Sequence, residues 1–543
     1  MGVEASKTTS RSRNKTTRSR KARPKVLKSI NPRTGEVVGE VPTMDPAEVA
    51  EVVEQARKVA PEWASIPPEG RVRLLRRVRY RLNEMIDEIV DVVSQECGKP
   101  RFEALGHDVL PPAIVMMELE RTAPRILRSK RVGWMSGAVA PKLLSGTKSR
   151  IDLRPYGVVG AITPWNYPLT NAFLAFMPAL FAGNAVVIKP SEVTPRSGEL
   201  LRKILDPLPS GVATVIQGGG AVGAAMIEAP VDKIAFIGSG FTGSKILETA
   251  AKHLTPAVME LGAKDAAIVL DDADLDIASS GVLWGSFFNA GQTCCSIERV
   301  FVDDSIADEF EEMLLEKLAR VRHENDPGSE VGSLTFSRQL DIVSRQVADA
   351  VDKGAQLVTG GPEAGPLNSK GSLWYAPTIL RNVSEDMDVV RDETFGPVIQ
   401  IVRVRDDDEA VRRANEGANL TVSVWTKSSA HVDAVATRLR AGTVTMNLHG
   451  ETPAMPWGPW GGVGESGFGR LSGPQGLLEF VYPVHVVKPL GLMRRVWWYP
   501  YNEESRATLD SSTRMFTAPT LGKKLEAAKI FGANVGKALS SKF

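Results

Sequence analysis

Three stretches of this sequence place reactive side chains where the local backbone can hold them. In FFNAGQTCCSIERV, residues 287–300, Cys294 follows a Gly-Gln-Thr turn near the start of an ordered segment. A partly exposed thiol there can act as a nucleophile, or pack as a small apolar residue. PWNYP, residues 164–168, follows an apolar run, and its prolines bracket Trp165, Asn166 and Tyr167 in a rigid loop. An Asn166 amide fixed in this way can donate to an oxyanion, or satisfy local backbone. MELGAK, residues 259–264, offers the Glu260 carboxylate 34 residues before Cys294.

Two further stretches suit a nucleotide. KPSE, residues 189–192, sets Lys189 and Glu192 just after an apolar run. A ribose would lie there in an open α/β sheet, although a surface ion pair has the same pattern. FIGSGFTG, residues 236–243, holds Gly238 and Gly243 in a G-x-x-x-x-G arrangement between a strand pattern and a helix pattern. Backbone amides and a helix N-terminus can face a pyrophosphate there. No Lys-Ser/Thr pair follows, which separates it from a nucleoside-triphosphate loop and points to a dinucleotide. None of these spacings reads as a metal site.

The elements that must position these residues are legible as patterns. Apolar runs at 158–163, 185–188, 233–237 and 266–270, each closed by Gly, Pro or a polar residue, predict buried strands. From about residue 150 they alternate with helical stretches, which predicts a parallel sheet with ligands at the carboxyl ends of its strands. Residues 45–60 predict an amphipathic helix with Asp45 as N-cap and Pro46 at the first position, and 71–95 a longer one. A second α/β block spans 261–447, with strands at 300–302, 399–404 and 421–425. Beyond Pro489 the texture changes to Trp497, Trp498, Tyr499 and Tyr501, then to a Lys-bearing amphipathic stretch at 521–539, which together read as an appended tail.

Composition bounds the rest. A chain of 543 residues exceeds one compact core, and 43% apolar with 24% charged residues is ordinary for a globular protein. The net charge of +2 arises from the first 28 residues, where ten Lys/Arg face only Glu4. That segment reads as a basic disordered tail, and the body has no charge excess for nucleic acid. Cys294 and Cys295 are neighbours and Cys97 stands alone, which excludes a disulfide framework and favours a reducing compartment. With no apolar run long enough to span a bilayer, the expected location is cytoplasmic.

PWNYP, KPSE, the glycine loop, MELGAK, FFNAGQTC and ETFGPV (residues 393–398) stand in an order and approximate spacing that resembles the aldehyde dehydrogenase superfamily over about residues 30 to 490. The resemblance implies an α/β protein. A Rossmann-like NAD(P)-binding domain would comprise 29–130 and 158–260, and an α/β catalytic domain 261–447. A small oligomerisation flap with a crossing segment would comprise 131–157 and 448–490, leaving 491–543 as the tail. By the same resemblance Cys294 is the nucleophile, Asn166 the oxyanion donor and Glu260 the base for water. Thr163, Trp165, Lys189, Glu192, Gly238, Ser239, Gly243, Leu261, Glu393 and Phe395 would bind NAD, with NADP as the alternative. Glu192 favours a free 2′-hydroxyl over a 2′-phosphate. Two departures, Ala263 and Gly464-Glu465, touch the lid and interface rather than the chemistry.

The substrate tunnel expected from this resemblance comprises Leu169, Asn171, Leu174, Phe288, Trp457 and Trp460, apolar and aromatic enough for a medium-chain, long-chain or aromatic aldehyde. Relatives specific for succinic semialdehyde carry an Arg where Leu174 stands, yet the run Cys295 to Arg299 resembles proteins of that specificity, which remains the second reading. A catalytically silent protein on the same fold is the third. The unpaired flap edge predicts a homodimer or homotetramer. The aromatic and basic tail could contact a membrane surface or a neighbouring subunit.

Overall fold

Short Val, Ile and Ala runs with no polar face build two largely parallel sheets. The protein is described by a computed structural model covering residues 25–132, 147–323, 328–361, 372–489, 496–499 and 501–540. The expected basic tail lies outside the described residues up to position 24. Its last residues are already sheet, because β1 (Val26–Ile30) pairs antiparallel with β2 (Val37–Pro42). The chain divides into two compact units, Met1–Thr122 with Tyr156–Phe480 and Ala123–Pro155 with Val481–Phe543.

The helix expected at 45–60 runs over Val49–Ser65 behind a 3-10 turn in which the Asp45 carboxylate accepts from Ala47 N. The helix expected at 71–95 is instead two, Pro68–Glu84 and Ile86–Cys97. Met85 leaves helical geometry (φ −107°, ψ 8°) and buries its side chain, while Asp87 and Glu88 favour a new N-terminus.

β3 (Lys130–Arg131) and β4 (Thr147–Pro155) belong to the smaller unit. In the larger unit β5 (Val158–Ile162), β6 (Ala185–Lys189), β7 (Ala213–Val215), β8 (Lys233–Gly238) and β9 (Ala257–Leu261) form a parallel sheet. A second sheet follows: β10 (Asp265–Val269), β11 (Ile297–Asp303), β12 (Gln356–Thr359), β13 (Thr378–Arg381), β14 (Val398–Val404), β15 (Thr421–Trp425) and β16 (Thr443–Met446). Its order is β12-β13-β14-β11-β10-β15-β16, with β12 alone antiparallel. β17 (Gly467–Phe468) closes the first sheet antiparallel to β9, giving β17-β9-β8-β5-β6-β7. β18 (Val481–Pro489) pairs along β4 in the smaller unit, with β3 on the far side of β4.

Both faces of these sheets are covered. In β10, Ala266 and Ile268 pack into one apolar cluster while Ala267 and Val269 pack into another, as a period of two requires when helices lie on both sides. The smaller unit carries two C-terminal helices, Glu503–Thr517 and Leu521–Ser540, of which only the second follows an amphipathic pattern noted in the sequence. Among the described residues no helix is long and apolar enough to cross a membrane.

Candidate active site

Cys294 lies on a turn between the 3-10 segment Phe288–Gly291 and β11, and is partly exposed. The approach to it is strained: Asn289 and Ala290 hold φ of 52° and 54°. Residues other than glycine pay for such geometry only where surrounding bonds over-determine it. Here the Asn289 N–H donates to both Glu103 carboxylate oxygens (3.0 and 3.1 Å), and its Nδ2 donates to the carbonyls of Asn166 and Gln292, each at 3.1 Å. Gly291 has φ 69° and passes so near the Gly396 carbonyl that a Cβ would stand 2.1 Å from its oxygen.

Asn166 is held from several sides. Its Nδ2 donates to Gln292 O (3.0 Å) and its Oδ1 accepts from Asn171 Nδ2 (2.9 Å). Beneath the loop the buried Lys99 ammonium donates to Asn166 O (2.7 Å) and Asp108 Oδ2 (2.9 Å), and sits 4.1 Å from the Tyr167 ring centre. Asp108 Oδ1 in turn accepts from Leu169 N at 3.1 Å. The Tyr167 hydroxyl meets Thr293 Oγ1 at 2.6 Å, tying the Asn166 loop to the Cys294 turn.

Glu260 stands on β9 and is 2% exposed. Burial pushes its carboxyl up to about 7, with the adjacent Cys294 thiol and Trp460 side chain acting in the opposite direction, and its Oε1 has no hydrogen-bond partner. The Cys295 thiol beside it, then burial and the Glu260 carboxylate, push the Cys294 thiol well above its usual range. The resting thiol is therefore neutral at pH 7. Cys295 itself is buried against Ala263, Leu420 and Trp460.

One crevice of about 690 Å³ is lined by Cys294, Glu260, Asn166 and Asn171, and also by Thr163, Trp165, Lys189, Glu192, Gly238, Ser239, Leu261, Glu393 and Phe395. Lys189 Nζ bonds Glu192 Oε2 at 2.7 Å. Ser239 caps the helix Gly240–His253 by accepting from Thr242 N (3.4 Å), so this helix begins inside the glycine loop rather than after it. Glu393 accepts from Ala263 N at 3.2 Å, and burial followed by the Glu298 charge pushes it up to about 8. Phe395 has φ 51°, and Trp165 meets its ring edge-on at 5.5 Å.

Several expected residues lie elsewhere. Gly243 is not on the crevice wall; a Cβ there would stand 2.7 Å from Leu261 Cδ2, so its role is close packing of helix on strand. Leu169 and Leu174 are interior, because the helix Thr170–Ala182 is buried on every side. Trp457 is 64% exposed and stands away from the crevice lining, since its loop is held by local 3-10 turns at the surface. Trp460 is buried next to Glu260 and Cys295 rather than on a tunnel wall. Phe288 stacks on Trp284 (4.5 Å, 12°) and lies 5.6 Å from the His107 ring and 6.5 Å from Tyr167.

The supporting ionic residues escaped sequence reasoning: Lys99, Glu103 and Asp108 beneath Asn166, and the Lys264–Glu298 pair. Glu298 accepts from the N–H groups of Thr394 (2.9 Å) and Phe395 (2.9 Å), holding the loop that carries Glu393. The signal for them was weak, one or two charged residues inside an apolar pattern, as with Glu298 and Arg299 entering β11.

A model described as the aldehyde dehydrogenase family matches residues 19–486. The chain is 35% identical over 480 residues to a 4,4'-diapolycopene aldehyde oxidase of a Methylomonas species, covering 88% of each. It is also 35% identical over 485 residues to a candidate succinate-semialdehyde dehydrogenase [NADP(+)] 2 of Mycobacterium tuberculosis, covering 86% of this chain and 90% of that one. Among solved structures, betaine aldehyde dehydrogenase of Staphylococcus aureus in complex with NAD+ superposes with a TM-score of 0.81 at 29% identity, over 88% of this chain and 94% of that one. An aldehyde dehydrogenase candidate of Burkholderia cenocepacia gives 0.82 at 31%, over 88% and 96%. With the motifs in order, the two sheets in place and the match extending over nearly the whole sequence, the chain belongs to the aldehyde dehydrogenase family.

Proposed function

We propose that this protein oxidises an apolar aldehyde to its carboxylate with NAD(P)+, through a thioester on Cys294. The observation that carries the reading is the convergence of the Cys294 thiol, the Glu260 carboxylate and the Asn166 amide on one crevice that Lys189, Glu192 and Ser239 also line.

A nicotinamide dinucleotide fits this lining. Gly220 on the wall leaves open space where a side chain would project, and the buried Thr163 Oγ1 there has no partner of its own. Lys189 and Glu192 would hold the adenosine ribose, Ser239 and the adjoining helix start the pyrophosphate, and Glu393 with Phe395 the nicotinamide ribose. The carboxylate of Glu192 favours NAD, which accompanies the Staphylococcus relative, although the Mycobacterium relative is named for NADP(+). When bound, the dinucleotide supplies the hydride acceptor.

The residues of the chain supply the rest. Glu260, balanced near pH 7, accepts the proton of the neutral Cys294 thiol as sulfur attacks the aldehyde carbon. The oxygen that becomes negative is stabilised by the Asn166 Nδ2–H and the Cys294 backbone N–H, each contributing on the order of 3 kcal/mol. Glu260 releases that proton to solvent, and once the carbon has lost hydride and become a thioester it takes a proton from the attacking water. The C–S bond then breaks, and the Cys294 thiolate leaves and regains a proton from Glu260.

Charge supports an apolar substrate. His107, Tyr167, Trp284 and Phe288 form an aromatic group beside the Asn166 loop, and burial followed by the Lys99 charge brings His107 down to about 4. That group is uncharged at pH 7 and offers no cation to a substrate carboxylate. The name of the Methylomonas relative, a polyene aldehyde oxidase, agrees with an apolar substrate. Succinic semialdehyde is the second reading, on the name of the Mycobacterium relative. β18, unpaired on its outer side among the described residues, would pair with a second copy in a homodimer or homotetramer.

A panel of aliphatic, aromatic, polyene and carboxylate-bearing aldehydes with NAD+ and NADP+ tests the reading, Cys294→Ala serving as control. Turnover of apolar aldehydes that vanishes in the control supports it, as does an acyl adduct on the Cys294 peptide by mass spectrometry. A wild type as inactive as the control on every aldehyde overturns it.

A further inference from the structure

We infer that the C-terminal helical hairpin lays its outward apolar face on an anionic lipid bilayer. The helices Glu503–Thr517 and Leu521–Ser540 pack on each other in a pattern inverted from that of a pair folded in water. Water drives the largest apolar side chains inward and leaves small or polar ones outside. Here the buried positions of the first helix are Ser505, Thr508, Ser511 and Ser512, and those of the second are Ala527 and Ala538. The Thr508, Ser511 and Ser512 hydroxyls donate to carbonyls of their own helix at 2.7, 3.0 and 2.7 Å, so the seam needs no water. Small residues at a helix–helix seam with self-satisfied hydroxyls are what an apolar solvent selects.

Several large apolar residues stand outside, while Met515, Phe531, Val535 and Leu539 are half-buried. Leu521 is 73% and Leu525 57% exposed, and Leu509 and Phe516 on the other helix are exposed as well. Just ahead of the hairpin Trp497, Trp498, Tyr499 and Tyr501 are all at least half exposed. Indole and phenol rings settle at the headgroup level of a bilayer, apolar body inward and polar tip in water.

Charge selects among occupants. The Leu521–Ser540 helix carries Lys523, Lys524, Lys529 and Lys537 against the single acid Glu526. The Glu503–Thr517 helix is nearly balanced, with Glu503, Glu504 and Asp510 against Arg506 and Arg514. A second copy docked through the Leu521–Ser540 helix would set like charge against like, whereas an anionic leaflet neutralises it, with a gain of about fivefold in partition per lysine near the surface. Neither helix is long and apolar enough to cross the bilayer, so the hairpin lies along it.

The test uses the full chain with unilamellar phosphatidylcholine vesicles containing a quarter of phosphatidylglycerol, and with phosphatidylcholine alone. Native protein is expected to co-sediment with the anionic vesicles and to be released by salt. Leu521→Ser with Leu525→Ser is expected to weaken binding by roughly tenfold for each exchange, with unchanged turnover of a water-soluble aldehyde. Lys523→Gln with Lys524→Gln, at exposed positions that cannot unfold the chain, is expected to abolish the preference for anionic vesicles. Equal sedimentation of native and both variants overturns the inference. So does a native protein that binds neither vesicle, or a leucine variant whose only change is a smaller mass by light scattering, which would assign the face to a contact between copies.

Discussion

Glu260→Gln separates the shape of the carboxyl group from its proton. Burial raises Glu260 from its usual 4.5 to about 7, and with 2% exposure there is little solvent to screen the effect. The difference amounts to about 3 kcal/mol at 1.36 kcal/mol per pKa unit. The folded state holds this proton more tightly than the unfolded chain, so stability is undiminished below pH 4.5, falls as pH rises toward 7, and is lower by that amount above it. Glutamine matches the protonated form and escapes the loss. Variant and wild type should therefore melt together near pH 4.5, with the variant gaining as pH rises to 8. Activity should move the other way. A base with a pKa of about 7 is about one-tenth ionised at pH 6 and about nine-tenths at pH 8, so the wild-type rate should rise roughly tenfold over that span. The variant should lose this limb and about 10² to 10⁴ in rate. Stopped-flow and steady-state measurement of NADH, with thermal unfolding at each pH, reads both effects. A variant that keeps the rise near pH 7, or one whose melting temperature tracks the wild type up to pH 8, refutes the assignment of Glu260 as a buried base.

Three other outcomes are expected. Asn166→Ala should lower kcat by about 10² to 10³ with little change in KM, because a donor to the developing oxyanion acts chiefly in the transition state; steady-state kinetics reads the split. Lys99→Met strands Asp108 in the interior and should cost about 3 to 5 kcal/mol in denaturant unfolding, part of it restored by adding Asp108→Asn. Glu192→Ser should move the ratio of kcat/KM for NADP+ over NAD+ upward by about fivefold, a modest value because the side chain is 42% exposed; competition between the two cofactors at fixed aldehyde measures it.

Residues that line the crevice were legible because each sits next to a strong local pattern. Asn166 lies in a proline-bracketed loop after a buried strand, Lys189 and Glu192 directly follow another, and Ser239 begins a helix behind a glycine. In a parallel sheet the strand ends converge on one side, so residues at those places share a crevice whatever their separation along the chain. The expected tunnel did not carry over as well. The resemblance pointed to Leu169 and Leu174, but the helix that Leu169 caps and Leu174 belongs to is buried on every side, and its apolar residues carry no pattern that tells which side faces a cavity.

The sequence by itself determined the main buried strands of the sheets, the nucleophile candidate with its acid and amide partners, and the glycine loop, all properties of short windows with a period or a turn chemistry. Only tertiary structure decided what surrounds them. From a distant segment Lys99 reaches Asn166, Glu103 reaches Asn289 and Asp108 reaches Leu169, and Glu298 reaches across to Thr394 and Phe395. A buried charge is tolerable only where the fold brings its partner, and that pairing leaves no mark on either residue's neighbours in the chain.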